Sequence, residues 1–84
     1  DKAVLYNNLG SAYLKQNNHE KALAAYEKAR ALQETNDSDK KSADLGTTYS
    51  NIGSCHFELD QIDEALKAFQ KTQEIFKANF PSIH

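Results

Sequence analysis

The chain of 84 residues has little of what interrupts or cross-links a fold, with three glycines, one proline and one cysteine. Because Cys55 is the only cysteine, no disulfide can form within the chain, which fits a reducing compartment and leads us to expect a cytoplasmic protein. No apolar run approaches the ~20 residues of a membrane span, and the opening residues show no signal-peptide pattern. We therefore expect no membrane partner.

Charge of a single sign is also lacking. Ten basic and twelve acidic side chains are interspersed and leave a net charge of −2. Proteins that bind nucleic acid present a basic patch or stripe, and the sequence contains none. The apolar share of 39% and the charged share of 26% are ordinary for a helical domain. The charge balance therefore argues against a nucleic-acid partner.

What the chain does contain is an internal repeat. Residues 6–11 (YNNLGS) return as residues 49–54 (YSNIGS), and the same spacing of 43 residues relates Tyr26 to Phe69. A constant spacing means that nothing has been inserted within the repeated unit. Self-similarity at such an interval is typical of proteins built from stacked units.

Apolar side chains recur every three or four residues along four segments, which predicts four helices. The segments run from about residue 3 to 16, from 20 to 35, from near Lys40 to Leu59, and from 61 to 79. Asn18 and Asp60 are predicted to cap the second and fourth helices, and Pro81 to stop the last. The connecting turns are short, which forces neighbouring helices to lie antiparallel. No segment alternates like a strand, so we expect an all-α fold.

Two glycines fall inside the predicted helices. Gly10 and Gly53 each cost about 1 kcal/mol there relative to alanine. We expect glycine at these positions because the helices of a pair cross closely. The missing side chains would then allow Ala22 to pack against Gly10, and Ala65 against Gly53.

At these residues the chain resembles the tetratricopeptide repeat. The family signature falls on Tyr6, Leu9, Gly10, Tyr13, Ala22, Tyr26 and Ala29, and again on Tyr49, Ile52, Gly53, Ala65 and Phe69. The departures are His56 for an aromatic residue, Thr72 for alanine, and Glu34 and Lys77 for the closing prolines. The usual period is about 34 residues, so the longer spacing here is similar to the long-helix variant in kinesin light chain and in the polarity adaptor that binds G-protein α subunits.

The resemblance implies an α-solenoid fragment of two helix hairpins with right-handed superhelical stacking. We expect the first hairpin and its connecting turn in residues 1–39 and the second in residues 40–80. Residues 81–84 would begin a further unit or form a disordered tail. Since Asp1 is no natural start, we expect the chain to be a piece of a longer array.

The resemblance also implies that the first helix of each hairpin lines a concave groove. The predicted peptide-binding residues are Asn7, Asn8, Ser11, Lys15, Ser50, Asn51, Ser54, Phe57 and Glu58. An asparagine carboxamide offers a donor and an acceptor together, which suits the backbone of a bound peptide. In the long-helix members, asparagines at the places of Asn8 and Asn51 hold the ligand backbone. The alternatives are solvated or locally bonded side chains, and for Phe57 packing against an adjacent unit.

Nothing in the sequence points to catalysis. Cys55 and His56 are adjacent, but consecutive helical side chains point about 100° apart and cannot pair. We expect Cys55 to be a buried, inert thiol. No pair of His or Cys residues has the spacing of a metal site, and no glycine-rich phosphate loop occurs. We expect neither an enzyme nor a bound cofactor or metal.

Two functional hypotheses remain. The first is an adaptor or scaffold module that binds an extended or helical peptide segment of a partner protein in its groove. The second is structural: two units leave apolar ends that further repeats or another copy would cover, giving a homo-oligomer.

Overall fold

The computed structural model describes residues 1–36 and 42–80, in which the chain forms four helices and no strand. Helix α1 spans Lys2–Lys15, α2 His19–Thr35, α3 Ala43–Glu58 and α4 Ile62–Asn79. The predicted all-α architecture is confirmed. None of the described helices has the length and apolar character needed to cross a membrane. The predicted boundary between residues 39 and 40, Pro81 and the segment 81–84 lie outside the described residues.

A side-chain oxygen caps each of the first two helices. The Asp1 carboxylate accepts the N–H of Ala3 at 2.8 Å, and Asn18 Oδ1 accepts the N–H of Lys21 at 3.2 Å. Each bond supplies a partner to one of the backbone donors that the first turn of a helix leaves unpaired. The prediction of Asn18 as a cap is confirmed.

Helix α3 begins later than predicted. Its first residue is Ala43, and Ser42 Oγ accepts the N–H of Asp44 at 3.0 Å. The expected start near Lys40 falls on residues outside the described part of the chain. A serine that accepts from the first turn defines the N-terminus of a helix more strongly than the lysines before it.

The prediction that Asp60 caps α4 is wrong. Asp60 has a φ of 64°, as its counterpart Asn17 in the first hairpin has a φ of 60°. Asp and Asn tolerate this left-handed conformation better than most residues, and each hairpin turn requires it there. The residue before α4 is Gln61, whose side chain makes no capping bond and instead accepts from His56 Nδ1 at 2.6 Å.

The helices pack in chain order, α1 on α2, α2 on α3 and α3 on α4. A single buried cluster joins the last three of them: Ala22, Tyr26, Ile52, Cys55 and Ala68. Because this cluster draws on both hairpins, they share one hydrophobic core. Helices α2 and α3 are therefore the two central helices of the stack.

Each glycine lies under an aromatic ring of its partner helix. A Cβ added to Gly10 would lie 2.7 Å from the ring of Tyr26, and one added to Gly53 would lie 2.8 Å from Phe69. The predicted close crossing is confirmed, but the nearest side chains are these rings rather than Ala22 and Ala65. An aromatic ring extends farther than an alanine methyl and so reaches the opposing backbone first.

A third close crossing was not predicted. A Cβ on Gly46 would lie 2.7 Å from the ring of Phe76, near the start of α3. Beside it, the buried Thr72 hydroxyl donates to the carbonyl oxygens of Ala68 and Gly46, at 3.0 and 3.3 Å. Bonding to backbone oxygens explains how threonine is accommodated where the family usually has alanine.

We predict that Gly10→Ala lowers the free energy of unfolding by about 1–3 kcal/mol, because the buried Tyr26 ring must move away. This loss would exceed the helix-propensity gain from alanine. Thermal or urea unfolding followed by circular dichroism measures the change. In the double variant with Tyr26→Leu the penalty should largely disappear. An equal penalty with and without the ring would contradict the packing described here.

Candidate functional site

The nine predicted groove residues lie on two helices. Asn7, Asn8, Ser11 and Lys15 are on α1, and Ser50, Asn51, Ser54, Phe57 and Glu58 are on α3. A hydrogen bond links the two helices directly: Asn7 Nδ2 donates to the hydroxyl of Thr48 at 3.2 Å. The first helices of the two hairpins are thus neighbours, as a shared groove requires.

The Asn7 side chain is already engaged in the hydrogen bond to Thr48. Thr48 is completely buried and its hydroxyl donates to the carbonyl oxygen of Asp44 at 3.1 Å, which leaves an oxygen lone pair for the Asn7 amide. A peptide ligand would have to displace a bond between the hairpins in order to use Asn7. The position therefore has a structural task.

The Ser11 side chain also has a hydrogen-bond partner within the fold, whereas its counterpart Ser54 has none among the described residues. The hydroxyls of Ser11 and Tyr26 share a hydrogen bond of 3.1 Å. In the second hairpin Phe69 replaces Tyr26 and carries no hydroxyl. Ser54 is exposed and forms no hydrogen bond within the described residues. One change of aromatic residue thus makes a serine hydroxyl available on α3.

Asn8 and Asn51 occupy equivalent positions and behave alike. Asn8 is exposed and Asn51 is half-buried, and neither forms a hydrogen bond within the described part of the chain. Two carboxamides therefore present a donor and an acceptor each at the surface of neighbouring helices. Together with Ser50 and Ser54, this pair supplies the uncharged hydrogen-bonding groups among the nine residues that have no partner within the described residues.

The remaining members differ in character. Lys15 and Glu58 are exposed residues of opposite charge at the carboxyl ends of α1 and α3, Ser50 is half-buried, and Phe57 is an exposed aromatic side chain. Leu14, the counterpart of Phe57, packs against the shared core. The surface therefore combines amide, hydroxyl, apolar and charged groups, which could contact both the backbone and the different side chains of a peptide.

Two cavities of about 350 Å³ each lie elsewhere, lined by residues of α2, α3 and α4. None of the nine predicted residues lines them. Their walls include Glu34, Arg30 and Tyr49, which form a network: the Arg30 guanidinium donates to Glu34 at 2.6 Å, and the Tyr49 hydroxyl donates to the same carboxylate. Burial, followed by the hydrogen bond and charge of Glu34, raises the pKa of Tyr49.

Sequence reasoning missed this network. The family pattern identifies Glu34 only as a replacement for the closing proline, and Tyr49 only as a signature aromatic residue. Arg30 and Glu34 are four residues apart on a helix, a spacing that indicates an ion pair and could have been recognised in the sequence. The contribution of Tyr49 from another helix carries no such local signal.

Cys55 and His56 lie next to each other on α3, and the expected burial of Cys55 is confirmed. Cys55 is completely buried, and burial raises the pKa of its thiol to about 11. His56 Nδ1 donates to Gln61 and so has a structural partner. No cluster of three or more His, Cys, Asp or Glu side chains suited to a metal ion occurs in residues 1–36 and 42–80.

Comparison with known proteins adds a family match. Residues 1–78 match the family described as Tetratricopeptide repeat, so the match extends over both hairpins. No curated protein and no solved structure matches the chain.

Cys55 should make the protein lose stability at alkaline pH. Its folded pKa of about 11 exceeds the value of 9.0 of an unperturbed thiol, so above pH 9 the unfolded chain releases a proton that the folded chain retains. The free energy of unfolding should fall by about 2 kcal/mol more between pH 8 and 11 than in Cys55→Ala. Urea unfolding at several pH values measures the difference. Parallel pH profiles for the two proteins would contradict a buried, protonated thiol.

Proposed function

The chain belongs to the tetratricopeptide repeat family, and we propose that it binds a peptide segment of a partner protein along α1 and α3. Repeats of this family typically mediate protein–protein interaction and are generally non-catalytic scaffolds. We propose in addition that the peptide is extended or helical and that the protein acts in the cytoplasm. Membership of the long-helix variant, suggested by the 43-residue spacing, is part of the same proposal.

The observation that carries the proposal is the unequal use of equivalent polar groups. Asn7 and Ser11 have partners within the fold, whereas Asn8, Asn51 and Ser54 have none in its described part. Packing and hairpin geometry account for the first two side chains. They do not account for the other three, which remain available to the amides of a bound backbone.

The charges of Lys15 and Glu58 would favour one orientation of the bound peptide over the reverse one. Lys15 and Glu58 are exposed at the carboxyl ends of neighbouring helices and have opposite signs. A segment that crosses from one helix to the other would be favoured if an acidic side chain met Lys15 and a basic one met Glu58. Such exposed pairs contribute little affinity, but they select between two orientations of a peptide.

We predict that Asn8→Ala and Asn51→Ala each weaken peptide binding by about 2- to 10-fold, the value of one to two ordinary hydrogen bonds. The probe is a set of peptides selected on the wild-type chain from a randomised displayed library, with affinities measured by fluorescence polarisation. Ser54→Ala should weaken binding more than Ser11→Ala, since Ser11 already bonds to Tyr26.

The matched control is Gln73→Ala, an exposed amide on α4, which should leave the affinity unchanged. Circular dichroism must show equal helicity for all variants. Wild-type affinity in both asparagine variants would contradict the proposal. Failure of the selection to yield any peptide would contradict it too.

A further inference from the structure

The interface between the hairpins covers some side chains of the first hairpin whose counterparts in the second stay uncovered. Leu14 and Leu23 pack against the core that α2 shares with α3. Their counterparts 43 residues later, Phe57 and Leu66, are 59% and 56% exposed. The amino-acid character is the same at both places, and only the covering helix differs. We call Phe57 and Leu66 the trailing face.

The opposite pattern holds at the other end of the stack. Thr48, Ile52 and Cys55 on α3 are buried at the junction with the first hairpin, at 0, 5 and 0% exposure. Their counterparts on α1 are Leu5, Leu9 and Ala12, of which Leu5 is 64% and Leu9 41% exposed. These three residues, the leading face, are at least as apolar as the buried set. Nothing in the described part of the chain covers them.

The two uncovered faces are the two halves of one interface. The trailing face repeats the half that α2 and the end of α1 supply at the junction of the hairpins, and the leading face repeats the half that α3 supplies. We propose that a second copy of the chain docks head to tail, its leading face on the trailing face of the first. The α2–α3 junction fixes the register, with Leu66 taking the place of Leu23 and Leu9 that of Ile52.

This register determines the kind of assembly. The contact is heterologous, since each copy uses a different face, and the displacement that relates the hairpins would also relate the copies. Contacts of this kind extend as open arrays unless the rotation closes a ring. A symmetric dimer through two leading faces has no counterpart among the contacts within the chain. The proposal does not depend on peptide binding, because α1 and α3 keep their asparagines at the surface.

The test uses two variants that each block one face. Leu5→Glu places a charge on the leading face and Leu66→Glu on the trailing face, and each should raise the dissociation constant for self-association at least about tenfold. Sedimentation velocity over a concentration series reaching about 1 mM measures the mass. Wild-type protein should grow beyond a dimer without a plateau. Val4→Glu is the matched control, because both Val4 and its counterpart Thr47 are exposed.

Mixing the two blocked variants separates the proposal from symmetric pairing. Each variant alone should self-associate at least about tenfold more weakly than the wild type, while the mixture should form a dimer of one copy of each with undiminished affinity, since one intact trailing face then meets one intact leading face. If either variant alone dimerises as strongly as the mixture, the pairing is symmetric and the proposal is wrong. A wild-type chain that stays monomeric throughout would also overturn it. Equal circular dichroism spectra of the variants exclude misfolding as the cause.

Discussion

The structure depends on an aromatic ring packed against a glycine in each hairpin. Tyr26 covers Gly10 and Phe69 covers Gly53, and any side chain at either glycine would overlap the ring. This contact sets how closely the two helices of a hairpin approach. Tyr26 also belongs to the core shared by both hairpins, so the same ring fixes the position of the second hairpin relative to the first.

The polar surface follows from that packing. The Tyr26 hydroxyl bonds to Ser11, while Phe69 in the same position has no hydroxyl and Ser54 has no partner within the described residues. The junction of the hairpins buries Thr48 and with it engages Asn7. The polar groups that packing and junction leave unengaged are those that we assign to a ligand.

Much of the fold could be predicted from the sequence because the same sequence pattern occurs in both hairpins. The helices, the glycine crossings and the Asn18 cap follow from local spacing and side-chain chemistry. Asp60 shows the limit of that reasoning, since an acidic residue before a helix suits either a cap or a left-handed turn. The hairpin geometry selects the turn.

The features that local patterns could not predict are contacts between helices. Gly46 under Phe76 and Tyr49 bonded to Glu34 join residues that are far apart in sequence. Gln33 is buried, and its side-chain oxygen has no hydrogen-bond partner among residues 1–36 and 42–80, whereas its counterpart in the second hairpin is the apolar Phe76. Likewise, periodicity places Asn7 and Asn8 side by side on α1. Only the position of α3 shows that Asn7 forms a hydrogen bond, whereas Asn8 forms none in the part of the chain that the structure describes.

Native-state hydrogen exchange tests most directly whether the two hairpins share one core at α2 and α3. Protection should be greatest in these central helices and should report global unfolding, while α1 and α4, each packed on one side, exchange through smaller local openings. The measurement is made in dilute solution, where the faces at either end stay uncovered. Protection that is equal within each hairpin but different between the hairpins would mean that they fold independently, and would contradict the account.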